Sequence, residues 1–286
     1  MIAALLQGQN GRAFLTTLGG AVAYIGVCGV VGRLGLLPTR LARKMMHIGT
    51  GPLYMLCWPL YSAAPSSRWL AASVPALAGV QFMLVGTGIV RDDTLVAGAS
   101  RSGRREELLR GPLLYAAVHV AATLIWWRHS PCGVLALAIL CAGDGLAEVV
   151  GRACSSAAAS ADAPARGGKK GSVDSGSTWR RSVLRALARP LPHNCDKTVG
   201  GTLACWLGGA AASLPLLLYF MRHGMFASAG PAAAGGVLQW GWPLVRGVLL
   251  CSGFGALAES LPLGGEADNV TIALAVGLCS RAYFGF

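Results

Sequence analysis

Residues 130–152 read SPCGVLALAILCAGDGLAEVVGR. The first part has the composition of a membrane span, and its apolar residues run on without alternation, which argues for helix and against strand. Asp144 and Glu148 then follow four residues apart, on one helix face. If the helix ends near Gly151, a rise of about 1.5 Å per residue puts Asp144 about 10 Å inside that end. A carboxylate at such a depth costs a few kcal/mol on insertion scales, so it faces the interior of a bundle and marks function.

The rest of the chain has the same character. Its 286 residues have a mean hydropathy of +0.55, and 13% are charged, against about 25% in soluble domains. Separate apolar runs near the length of a bilayer-crossing helix predict spans at about 14–37, 46–64, 69–90, 112–128, 130–151, 198–221, 237–258 and 269–285. The expected fold is all-α, a polytopic integral membrane bundle of seven or eight transmembrane helices. It forms a single domain over 1–286 with one long inserted loop at about 153–190.

Loop charge alternates. Arg33, Arg40, Arg43 and Lys44 follow the first run, Arg91 to Arg110 carry the second basic loop, and nine basic residues lie from Arg152 to Lys197. The intervening connections hold Arg68, Arg128 and Arg222. The positive-inside rule then places the basic loops on one side, cytoplasmic or stromal. The net charge of +12 is accounted for by orientation and anionic partners, not by nucleic acid. The nine cysteines show no CxxC pair and no zinc spacing, so they read as small apolar packing residues. The start, MIAALLQGQNGRAF, contains no clear transit peptide. Within the long loop, ACSSAAASADAPARGGKKGSVDSGS has too little apolar surface to fold and reads as disordered. TWRRSVLRALAR after it reads as a basic amphipathic surface helix.

The basic side also collects the acids. Asp144, Glu148, Glu259 and Asp268 can meet Arg43, Lys44, Arg152 and Lys197 at one membrane face. One such acid alone reads as a salt bridge between helices, but four with four bases read as a site for a polyanion and a metal. Carboxylates beside hydroxyls and amides are hard-oxygen ligands suited to Mg²⁺, here from Asp144 with Glu148 or Asp268. The turn DKTVGGT, 196–202, adds Lys197, Thr198, Gly200, Gly201 and Thr202 at a helix start, where backbone N–H groups and the helix dipole favour phosphate. His47 shares a helix face with Lys44. The chain has no Walker A loop and no GxGxxG. His119, His129, His193 and His223 read as structural.

Five blocks resemble the phytol kinase branch of the polyprenol kinase family. They are RKMMHIGTGPLYMLCWPLYS (43–62), SRSGRREELLRGPLLYA (100–116), GDGLAEVVGR (143–152), DKTVGGTLA (196–204) and AESLPLGGEADNVTIAL (258–274). They stand in the family's order and are spread from residue 43 to residue 274, on both sides of the inserted loop. The resemblance implies a plastid membrane enzyme that phosphorylates an isoprenoid alcohol, most simply phytol, from CTP or UTP, with phytyl phosphate leading toward tocopherol. Asp144, Ala147 and Gly151 match the nucleotide-site pattern shared with dolichol kinases, and Lys197, Thr198, Gly201 and Thr202 match its second half. Arg43, Lys44, His47 and Gly49 match the first block, and Glu259, Asp268 and Asn269 match the last.

On this reading Asp144, Glu148 and Asp268 are catalytic, and Arg43, Lys44, His47, Arg152, Lys197, Thr198, Gly200, Gly201 and Thr202 bind phosphate. Gly151, Glu259 and Asn269 support them. Two alternatives share these features. One is a CTP-dependent lipid cytidylyltransferase, and the other is a proton-coupled transporter with buried acids. The transporter lacks the visible inverted repeat of such folds.

Overall fold

The computed structural model describes residues 8–162, 175–226, 238–263 and 266–285. Among these, the predicted apolar runs are helices in the predicted order. They are α1 (Gln9–Arg33), α2 (Thr39–Leu56), α3 (Ser67–Gly86), the short α4 (Asp93–Ala99), α5 (Gly111–Trp126) and α6 (Pro131–Ala138). After α6 the chain passes through a π-turn at Ile139–Asp144 into α7 (Gly145–Asp162). Then come α8 (Ser175–Ala188), a hairpin of β1 (Pro190–Leu191) and β2 (Asn194–Thr198), α9 (Val199–Arg222), α10 (Trp242–Ser260) and α11 (Asp268–Phe284). Among the described residues, five helical stretches are long and apolar enough to cross a membrane: Gln9–Arg33, Ser67–Gly86, Arg105–His129, Pro131–Ala161 and Val199–Arg222. The protein is an all-α membrane helix bundle.

Two expectations change. The second helix starts at Thr39, not near residue 46, so Arg40, Arg43 and Lys44 stand on a helix and not in a loop. Their long side chains hid the helix start in an apolarity reading. Within the inserted loop, the stretch expected to be disordered from Ala153 is helical at its start, since α7 continues to Asp162, while the expected amphipathic helix of TWRRSVLRALAR is present as α8 over Ser175–Ala188. The Ala-rich run after Gly151 is a good helix former once an existing helix nucleates it. Residues 163–174 lie outside the described residues.

Lipid tails are as apolar as leucine, so helices in a bilayer associate through close packing and hydrogen bonds. Small residues supply the close approaches here. At Gly209 of α9 an added Cβ would come within 2.7 Å of Ser252 Oγ on α10, and at Gly255 of α10 within 2.7 Å of Ile139 Cγ2. Trp206 Nε1 donates to the Leu249 carbonyl at 2.8 Å across the α9–α10 contact. Far from the basic loops, Trp58 packs against Trp127 and Phe220 with ring centroids 5.2 and 5.9 Å apart, and this closes that end of the core. The basic ends of the helices converge at the other end.

Candidate active site

Lys44 joins the first half of the site. Its side chain is only 5% exposed, and its ammonium lies 2.8 Å from Asp144 Oδ2 and 3.1 Å from Glu148 Oε2. One base therefore bridges two acids on consecutive turns. Arg43 reaches the same Glu148 oxygen at 3.0 Å, and Arg152, one turn along α7, reaches Oε1 at 3.3 Å. His47 lies three residues after Lys44 on the same face of α2, with Nε2 3.1 Å from Asp144 Oδ2 and 3.2 Å from the Leu140 carbonyl.

The π-turn allows these contacts. A π-turn adds a residue to the helical turn, which re-aims the side chains on either side, and such turns recur at functional sites. Here it ends on Asp144, and the Leu140 carbonyl within it faces His47. Gly143 lets α9 approach the turn, since a Cβ there would come within 3.1 Å of Cys205. Tyr115 on α5 holds the arrangement from behind. Its hydroxyl donates to the His47 carbonyl at 2.7 Å, its ring lies 4.5 Å from the imidazole, and Cys141 Sγ is 2.8 Å from the same hydroxyl.

The second half is centred on Lys197 of β2. Its ammonium donates to Glu259 Oε1 at the end of α10 and lies 3.3 Å from Asp268 Oδ2 at the start of α11. Burial alone would lower the Lys197 pKa, but Glu259 and Asp268 outweigh it and hold the ammonium above the ordinary lysine range. The hairpin that presents Lys197 is tied to the end of α10. Asn194 donates to the Ser260 carbonyl at 3.1 Å, and His193 Nε2 is 3.1 Å from Ser260 Oγ.

Both halves line one cavity of about 990 Å³ at the basic end of the bundle. Of the residues singled out in the sequence, Arg43, Lys44, His47, Asp144, Glu148, Gly151 and Arg152 reach it from α2, the π-turn and α7. Lys197, Thr198, Gly201, Thr202, Glu259, Asp268 and Asn269 reach it from the other side. Gly200 does not, because it is packed against Leu187 and Cys154. The glycine turn also differs from a bare phosphate cradle. Thr198 Oγ1 caps α9 by accepting from the Gly201 N–H at 3.1 Å, and Gly201 and Gly151 let α7 and α9 cross closely. Arg101 and Glu266 close the rim at 3.3 Å.

Tyr115, Arg40, Asn194 and Glu266 also line the cavity, and none was chosen from the sequence. For Tyr115 the available signal was weak: an aromatic four residues into a helix that starts Gly111–Pro112 beside a basic loop.

The charges are matched. Asp144, Glu148, Glu259 and Asp268 face Lys44, Arg43, Arg152 and Lys197. Two hard-oxygen atoms are left over, since Glu259 Oε2 and Thr202 Oγ1 are buried and find no hydrogen-bond partner among the described residues. Among those residues no three His, Cys, Asp or Glu side chains come together to hold a metal by themselves.

Fold and site thus define a membrane-embedded helix bundle with a charge-dense, half-apolar cavity at one end. The chain is 31% identical over 265 residues to "Farnesol kinase, chloroplastic" of Arabidopsis thaliana, an alignment covering 92% of this chain and 72% of that protein. It is 29% identical over 275 residues to "Phytol kinase 1, chloroplastic" of the same plant, covering 96% and 76%. The chain belongs to the phytol and farnesol kinase family. No family profile and no solved structure matches it.

Proposed function

We propose that this protein is a plastid membrane kinase that transfers the γ-phosphate of CTP, or of UTP, to an isoprenoid alcohol, with phytol as the expected acceptor. The kinship with farnesol and phytol kinases supports the reaction class. The observation that carries the residue assignment is the meeting of both charged halves in one cavity beside an apolar wall of Met46, Phe82 and Ala99. A polyphosphate needs the first feature and a prenyl alcohol needs the second.

Phosphoryl transfer depends on positioning and charge neutralisation more than on covalent chemistry. Lys44, Arg43, Arg152 and Lys197 would take the phosphates, and each is held by carboxylates that set its position. Asp144, with Glu148 or Asp268, would hold Mg²⁺, and Glu259 and Thr202, each with an unpaired oxygen, line the same cavity. This donor set fits an ion that takes one or two carboxylates together with substrate phosphates. An ion held by these residues would supply charge neutralisation to the phosphates. The alcohol oxygen attacks the γ-phosphorus, the bond to the β–γ bridging oxygen breaks, and CDP leaves. The hydroxyl proton passes to a carboxylate, Asp144, whose position is fixed by Lys44 and His47, or Asp268, which is held by Lys197.

The test is purified protein in detergent with phytol and CTP labelled at the α or the γ phosphate. Label from the γ position in an organic-extractable phosphomonoester is expected. Label from the α position would replace this reading with cytidylyl transfer, and no lipid labelling with any prenyl alcohol would end it.

A further inference from the structure

A second hollow, of about 250 Å³, lies between α1, α3 and α4. Its walls are apolar, including Leu18, Val22 and Gly26 of α1 and Leu77 of α3, while Gln81, Asp92 and Thr94 form its polar part. The polar part lies toward the basic end of the bundle. Arg33 at the end of α1 donates to Thr94 Oγ1 at 3.2 Å, and Thr94 packs on Gly29. From Gly26 back to Leu18 the groove runs about 12 Å along α1 at 1.5 Å per residue, away from that end.

Only a thin partition separates this groove from the charged cavity. On α3, Gln81 lines the groove and the adjacent Phe82 lines the cavity. On α4, Leu95 lines the groove and Ala99, one turn later, lines the cavity. Phe82, Leu95, Ala99 and Met46 belong to one buried cluster between the two spaces. The apolar wall of the cavity is therefore the near side of the groove. Around the rest of the cavity the deep walls carry Asp144, Glu148, Lys197, Glu259 and Asp268. For a prenyl chain whose hydroxyl sits beside Asp144, this partition is the apolar wall that is buried and backed by a further hollow, whereas the apolar residues of the opposite rim, Leu261 and Leu263, are exposed.

We propose that the groove between α1, α3 and α4 is the subsite for the far isoprene units of the alcohol, reached past Phe82 and Leu95. This rests on the reading of the protein as a prenyl alcohol kinase. The groove is then where chain length is read. An alcohol of one isoprene unit ends at the partition, and one of four units extends into the groove.

Gly26 provides the test. A Cβ there meets nothing within 4 Å, so Gly26→Phe fills the groove without a backbone clash and removes a helix-interior glycine. Gly19→Phe is the control, since Gly19 has the same free space on α1 and does not line the groove. With Gly26→Phe the KM for phytol is expected to rise about tenfold, the affinity of about two buried methylenes. The KM for prenol should stay within twofold of wild type, and Gly19→Phe should change neither. Equal changes for both alcohols, or none, would overturn the proposal.

The second measurement does not depend on turnover. A farnesol analogue with a photoreactive group at its far end is expected to label peptides of α1 or α3 in the wild type, with labelling lost in Gly26→Phe. Labelling confined to other elements would overturn the groove assignment. If the wild type transfers no phosphate to any alcohol, the kinase reading fails, and the labelling pattern still decides the groove.

Discussion

Asp144→Asn is the sharpest perturbation of the site. Asp144 is 8% exposed and takes the Lys44 ammonium at 2.8 Å and His47 Nε2 at 3.1 Å on one oxygen. Asparagine keeps the volume and one carbonyl oxygen but loses the charge. On the folding side, a hydrogen bond to a charged group contributes about 1.5–3 kcal/mol. Lys44 also keeps Glu148 at 3.1 Å, so the stability loss should fall at the low end of that range, and the protein should stay inserted and monodisperse. Catalysis should suffer far more. Losing a metal ligand or a base typically slows a reaction by about a hundredfold or more, which is about 2.7 kcal/mol on the barrier. The assay is transfer of γ-label from CTP to phytol at saturating substrates, with size-exclusion profile and thermal melt beside it. Activity within about threefold of wild type in a monodisperse variant would refute the role given to Asp144.

Three other perturbations test separate parts of the structure. Lys197→Met should lower both activity and melting temperature, because it leaves Glu259, 3% exposed, facing Asp268 without its cation. The folded pKa of Lys197 is raised, so its stabilisation is complete below the unfolded lysine value of about 10.4 and fades only as pH rises through the folded value. The melting difference between wild type and variant should therefore be constant from neutral pH to about pH 9, and a difference that vanishes by about pH 8 would contradict the ion pair. Gly51→Ala should destabilise by about 1–3 kcal/mol through overpacking, since its Cβ would run into Cys141 Sγ and come within 3.0 Å of His119 Nε2; an unchanged melt would count against this packing. Tyr115→Phe removes the hydroxyl that donates to the His47 carbonyl at 2.7 Å and should lower kcat several-fold while leaving KM for CTP unchanged. A change in KM alone would place Tyr115 in nucleotide binding instead.

The order of the helices was legible because bilayer-length apolar runs need no long-range information. The α9 start was read to within a residue, since Thr198 is both a motif position and the cap of that helix. The start of α2 was not, because Arg40, Arg43 and Lys44 look like loop charge until their partners are known. Lys44 is buried only because Asp144 and Glu148, about a hundred positions later, come to meet it. The π-turn left no sequence signal either. It follows from the packing of α9 and α2 on residues 139–144 and not from the propensities of Ile, Leu, Cys, Ala, Gly and Asp. Gly200 shows the opposite error. Within DKTVGGT it had the look of a phosphate-facing glycine, yet the crossing of α7 and α8 turns it toward Leu187 and Cys154.

On the proposed kinase function, the placement of Asp144 within the bundle has a physical cause in the two proposed substrates, a nucleotide triphosphate and a prenyl alcohol. A nucleotide triphosphate belongs in water and a prenyl chain in lipid, so their reacting atoms can meet only near the interface. Carrying the alcohol out would expose its chain, at about 0.8 kcal/mol per CH₂. Carrying the phosphates deep would strip several charges of water, which costs far more. The protein instead brings a few charges part of the way in. The first half sets Lys44, Arg43 and Arg152 against Asp144 and Glu148, and the second sets Lys197 against Glu259 and Asp268, so these charges balance over the site as a whole before substrate arrives. On that function, entering phosphates would find the cations already in position and would need only to replace one set of anionic oxygens with another. The acids would then serve the chemistry and also keep the buried bases paired. A variant lacking both Glu259 and Asp268 should therefore lose insertion or melting stability before its kinetics can be measured, whereas Asp144→Asn, with Glu148 still on Lys44, should not.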